Sequence, residues 1–120
     1  MAEEATASEL SLDPKRVEEM LASGAELIDI RRDYEWEGGR IPNARHIEVN
    51  RLTAQADSIP KDRPVIFYCR TGNRSQMAAD AFSRAGYDAH NMAGGITAWN
   101  EAGLPLEPEG GEVRAPLPAS

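Results

Sequence analysis

The sequence predicts an α/β domain: a central, mostly parallel sheet with helices on both faces. Short apolar runs alternate with stretches of helical spacing, and the run at 65–68 is apolar at every position, as a strand covered on both faces must be. The 120 residues suffice for one such domain, and 41% apolar with 28% charged residues is an ordinary globular balance.

Residues 1–9 read as a flexible leader, with a short strand around 8–10. Asp13 can cap a first helix that has Pro14 at its first position, Val17, Met20 and Leu21 on one face, and Gly24 as its stop. Leu27 to Ile30 form a strand, the charges from Arg31 to Arg40 a solvated loop, and Arg45 to Val49 a further short strand. Residues 50–64 are polar, with weak helical character at 53–57. Val65 to Tyr68 is the central strand. Ser75 can cap the next helix, which carries Met77, Ala78, Ala81, Phe82 and Ala85 and ends at Gly86. A last strand follows at 88–92, then a turn at Gly94-Gly95 and a helix through Ile96 and Trp99 to Gly103. The domain therefore spans 10–105. Residues 106–120, rich in Pro, Gly and Glu, read as a flexible tail, and Pro105-x-x-Pro108 at the junction is a linker rather than a recognition motif.

Charge and cysteine usage narrow the function. A formal net charge of −7 opposes binding to nucleic acids and anionic membranes, which attract basic surfaces. The longest apolar run is far short of the roughly 20 residues of a membrane span, and the acidic N-terminus lacks a secretory signal. The single cysteine suits a reducing compartment, so the expected location is the cytoplasm. Scattered charges without heptads fit a monomer.

The most informative stretch is Cys69-Arg70-Thr71-Gly72-Asn73-Arg74-Ser75, placed between the central strand and a helix. The carboxyl ends of strands are where open α/β sheets bind ligands. A lone cysteine is most often an inert buried hydrophobe. Here, however, six consecutive residues each carry a backbone N–H, Gly72 can take the positive φ that curls a loop into an anion nest, and Arg70 and Arg74 add charge. An ordinary thiol is only about 3% ionised at pH 7, and such surroundings lower its pKa to about 3.5–7.5. Cys69 is thus the expected nucleophile. His46, His90 and Cys69 lack zinc-site spacing, both histidines read as solvated strand ends, and Trp36 and Trp99 read as packing residues. Gly94-Gly95 reads as a tight turn rather than a phosphate loop.

Three segments together resemble the rhodanese family of single-domain sulfurtransferases. Leu27-Ile-Asp-Ile-Arg31, with Glu35 and Gly39-Arg-Ile-Pro-Asn-Ala44, is similar to its first signature; 69–75 is similar to its active-site loop; Gly94-Gly-Ile-Thr-Ala-Trp99 and Gly103-Leu-Pro105 are similar to its C-terminal signature. Arg40 and Asn43 stand where the family often has His and Gly. The resemblance implies a rhodanese-like fold and a thiosulfate sulfurtransferase in which Cys69 carries a persulfide. Arg70, Thr71, Gly72, Asn73, Arg74 and Ser75 would cradle the substrate, and Asp29 and Arg31 would organise loops near the sheet edge. The implied partners are a small sulfur donor and a cyanide or thiol acceptor, with an acceptor protein as a further candidate and no metal or organic cofactor. Two alternatives stay open. One is a cysteine phosphatase or arsenate reductase on the same scaffold, although the resembling phosphatases have one residue more between cysteine and arginine than the four here, 70–73. The other is a noncatalytic rhodanese-like binding module.

Overall fold

A computed structural model describes residues 11–116. The chain forms β1 (Ser11–Leu12), α1 (Pro14–Ala22), β2 (Glu26–Asp29), α2 (Asp33–Gly38), β3 (Arg45–His46), β4 (Val65–Tyr68), α3 (Asn73–Arg84), β5 (Ala89–Met92) and α4 (Gly95–Glu101). Single 3₁₀ turns lie at Val49–Arg51 and Ala56–Ser58. The five strands are ordered β1-β5-β4-β2-β3 and every pairing is parallel. The leader expected at 1–9 and its strand at 8–10 lie outside the described residues.

Local chemistry explains most boundaries. Asp13 accepts a hydrogen bond from the Arg16 N–H at 2.8 Å, satisfying one of the free donors of α1, and Pro14 occupies the first turn, where its missing N–H costs nothing. The alternation along β4 sends Ile66 and Tyr68 to a cluster with Val17, Ile96 and Trp99, under α1 and α4. Val65, Phe67 and Cys69 go to the opposite face, with Ala78, Ala79 and Phe82 of α3. Helices therefore cover both faces of the sheet, and β4 is buried throughout. Among the described residues no helix is long and apolar enough to cross a membrane.

Several expectations need correction. β3 is two residues rather than five, because Ile47 N–H bonds to Asp29 O but Val49 N–H bonds to Ile30 O, an offset that breaks the regular ladder. The segment 31–40 is not a solvated loop: it contains α2, and Arg31 and Glu35 are fully buried. Met77 and Ala81 face solvent instead of the core, and the buried stripe of α3 runs through Ser75, Ala78, Ala79 and Phe82. His46 is no solvated strand end either; its ring stacks on Trp36 at 4.7 Å and its Nε2 lies 2.6 Å from the Arg31 carbonyl.

Residues 105–114, most of them read as tail, return along the domain. Trp99 Nε1–H donates to the Pro105 carbonyl at 2.8 Å, Arg40 and Glu107 exchange both backbone hydrogen bonds, and Glu112 N–H reaches Gly38 O at 2.9 Å. Leu106 and Val113 pack against the cluster beneath α1 and α4. The Arg114 guanidinium lies over the Tyr34 ring at 4.6 Å. These contacts are made with residues so distant in the chain that no local pattern in 106–114 announces them.

Connections from β2 run outward to β3, while those from β4 run the other way to β5. The carboxyl ends of β2 and β4 therefore flank the topological switch point, where a crevice opens because the two connections diverge.

Candidate active site

Cys69 follows β4 directly at that crevice, beside Ile30 at the end of β2, whose N–H bonds to Tyr68 O. The chain then turns sharply at Gly72, buried with φ +100°, and enters α3. That left-handed residue is the N-cap of α3, so the helix starts earlier than the expected cap at Ser75. Ser75 instead occupies the first turn, fully buried. The sequence's curled ring takes a definite form: Gly72 N–H donates to Cys69 Sγ at 3.1 Å, and the Ser75 hydroxyl oxygen is 3.4 Å from the same sulfur.

Cys69 is 1% exposed, and that burial is the largest influence on its ionisation, acting to raise the pKa. Hydrogen bonds from the Ser75 hydroxyl, Ser75 N–H and Gly72 N–H, together with the Arg74 charge, outweigh it, and the thiol pKa falls below its ordinary value. Polar donors on one side of the sulfur and the apolar cluster on the other make a thiolate that is stabilised yet shielded from bulk water.

The remaining loop residues separate into groups. Thr71 and Asn73 are exposed and Arg70 is half-buried. Arg74 lies beside the loop, but its guanidinium pairs with Glu35 of α2, Nη1 to Oε1 at 3.3 Å and Nη2 to Oε2 at 3.2 Å. The sequence reading gave Glu35 no role; its only local signal is an acid inside a helix too short to bury it against anything nearby. Asn91 was likewise missed. Its Oδ1 lies 2.5 Å from the Ser75 hydroxyl oxygen and shares that one proton with the sulfur, while its own amide donates to Gln76 Oε1 at 3.2 Å, which holds the hydroxyl oxygen beside the sulfur. A polar residue at an inward position of a buried strand was the available clue.

The Gly94-Gly95 turn does more than reverse the chain. Ile96 and Thr97 N–H groups bond to the Cys69 and Arg70 carbonyls at 2.9 and 3.1 Å, so the start of α4 clamps the loop from behind. Gly95 has φ +58°, and a Cβ there would overlap the Cys69 carbonyl oxygen and the Arg70 peptide. Gly95→Ala is expected to lose about 3 kcal/mol of unfolding free energy through strain and overlap. Urea unfolding checks this, and alkylation of Cys69 in the folded variant should also change, because the overlap falls on the loop itself.

Away from the crevice, Asp29 and Arg31 form a fully buried pair, Nη2 to Oδ2 at 2.7 Å, and Arg31 Nη2 also holds the Gly39 carbonyl at 2.8 Å. They organise the loop after β2, an internal strand next to the edge strand β3.

Known proteins resemble this chain in sequence and fold. A sulfurtransferase of Allochromatium vinosum is 42% identical over 86 residues, covering 70% of this chain and 80% of that protein. Thiosulfate sulfurtransferase GlpE of Pseudomonas aeruginosa is 30% identical over 101 residues, covering 83% and 91%. The crystal structure of a rhodanese-related protein from Thermoplasma volcanium superposes with a TM-score of 0.75 at 27% identity, covering 80% of this chain and 95% of that one. Residues 13–102 match the sequence profile of the rhodanese-like domain, and this chain therefore belongs to the rhodanese-like family, with sulfurtransferases among its relatives.

Proposed function

We propose that the protein transfers sulfane sulfur from thiosulfate to a thiol or cyanide through a persulfide on Cys69. The observation that carries this reading is the sulfur itself, held by Gly72 N–H and Ser75 at the end of β4 with its pKa lowered. The thiolate attacks the outer sulfur of thiosulfate; a new S–S bond forms, and the old one breaks with its electron pair leaving on sulfite. The terminal sulfur of the persulfide is anionic, and the loop N–H groups stabilise it as an oxyanion hole stabilises oxygen. Cyanide or a thiolate then takes that sulfur and returns the electron pair to Cys69. Arg70, Thr71, Gly72, Asn73, Arg74 and Ser75 form the cradle, and no step calls on a cofactor. The reaction belongs in a reducing compartment, the cytoplasm, where a free thiol persists.

The Glu35 contact favours this over phosphoryl chemistry. A phosphatase uses the arginine after its nucleophile to grip phosphoryl oxygens with both arms of the guanidinium. In this chain a buried carboxylate already occupies those arms. A thiol stabilised against its own burial also argues for chemistry rather than for a passive binding module.

Mass spectrometry after incubation with thiosulfate tests the reading. The expected result is the gain of one sulfur atom on Cys69, removed by cyanide with release of thiocyanate. No gain of sulfur together with turnover of an aryl phosphate would favour the phosphatase instead.

A further inference from the structure

The crevice between β2 and β4 offers more than a thiol. A cleft of about 180 Å³ opens there, lined by Ile30, Arg32, Glu48, Val49, Asn50 and Arg74. A site for one water needs only about 10–15 Å³, so the cleft has room for a ligand of several non-hydrogen atoms beside Arg74, the residue of the thiol-bearing loop that lines it.

Its charges are distributed in a specific way. Arg74 is engaged by Glu35. Among the described residues, the side chains of Arg32 and Glu48 enter no ion pair, either with each other or with a neighbour. The cleft thus presents one unpaired cation and one unpaired anion over an apolar floor of buried Ile30 and half-exposed Val49, with the Asn50 amide at the rim. A thiol without charged groups leaves both charges unmatched. A short aliphatic thiol bearing both a carboxylate and an ammonium matches both charges and the floor.

We infer that this cleft is a subsite for a small thiol of the amino-acid class, its carboxylate toward Arg32, its ammonium toward Glu48 and its sulfur toward Cys69. The inference rests on the sulfur-transfer reading and names the acceptor for it. The thiolate R–S⁻ attacks the outer, anionic sulfur of the Cys69 persulfide. A new S–S bond forms, the bond to Cys69 breaks, and its electron pair returns to the Cys69 thiolate. The transferred sulfur keeps its charge, giving R–S–S⁻, and no oxidant or reductant is consumed.

The test loads Cys69 with sulfur from thiosulfate and follows its discharge by four thiols: L-cysteine, 3-mercaptopropionate, cysteamine and 2-mercaptoethanol. Each rate at low thiol concentration is divided by that for 2-mercaptoethanol, which removes differences common to all thiols. Arg32→Glu is expected to lower the ratios for L-cysteine and 3-mercaptopropionate by about fivefold, the scale of an exposed charge pair. Glu48→Lys should lower those for L-cysteine and cysteamine to a similar extent. Ratios unchanged in both variants, with discharge proceeding normally, overturn the subsite and leave sulfur transfer standing. Failure to load Cys69 at all overturns both.

Discussion

Cys69→Ser is expected to lower sulfur-transfer turnover by at least about 10⁴-fold, equivalent to roughly 5 kcal/mol of transition-state stabilisation. The physical reason is nucleophilicity. Every contact that favours charge at position 69 acts on a thiol able to ionise, whereas a serine hydroxyl there stays protonated near neutrality and attacks sulfur poorly. The fold should survive, since the exchange is nearly isosteric and the Gly72 N–H can still donate to an oxygen. Thiosulfate–cyanide turnover, with circular dichroism as the folding control, gives the answer. The native thiol also predicts a pH profile. Because its pKa is lowered, the thiolate persists as pH falls below the range of ordinary thiols, and alkylation slows only when pH drops through that lowered value. Ser75→Ala removes a stabilising donor and leaves burial less opposed, so the alkylation midpoint moves up. A native midpoint at or above that of an ordinary thiol would remove the electrostatic basis of the mechanism.

Arg31→Met is expected to cost about 3–5 kcal/mol of unfolding free energy, because it leaves the Asp29 carboxylate buried without its partner. Both side chains have no solvent exposure, and Arg31 meets Asp29 with Nε and Nη2 while also supporting Gly39. Domains of this size are stable by only about 5–15 kcal/mol, so the loss would approach unfolding at physiological temperature. Replacing both members, Asp29→Val with Arg31→Met, should recover much of the loss, since no orphaned charge remains. Recovery should be incomplete, because the Gly39 carbonyl still loses its donor. Urea midpoints of the single and double variants distinguish a pair that stabilises from one whose partners merely need each other. Equal midpoints for the native protein and Arg31→Met would show that water reaches Asp29.

The layout of the sheet was legible because it depends on patterns within single segments. Val65 to Tyr68 is apolar throughout, and its two alternating faces met the two helical layers that the flanking periodicities imply. The Cys69 loop was legible for a similar reason: a glycine able to curl and consecutive N–H groups lie within a few residues of the thiol they serve. The stretch 31–40 was misread because its charges look solvated in isolation. Arg31 is buried by a partner two residues away on the same strand end, and Glu35 by one 39 residues away in the chain.

From the sequence alone come the α/β architecture, the thiol proposed as the reactive centre and the kind of loop that lowers its pKa, all matters of short-range stereochemistry. Only the tertiary structure decided that Glu35 occupies Arg74, that Asn91 anchors the Ser75 hydroxyl, that the 105–114 segment lies along α2, and that Arg32 and Glu48 line the crevice with no ion pair among the described residues. Those relations join groups brought together by packing across the sheet, and burial and Coulomb energy depend on distance in space, which residue spacing along a chain does not encode.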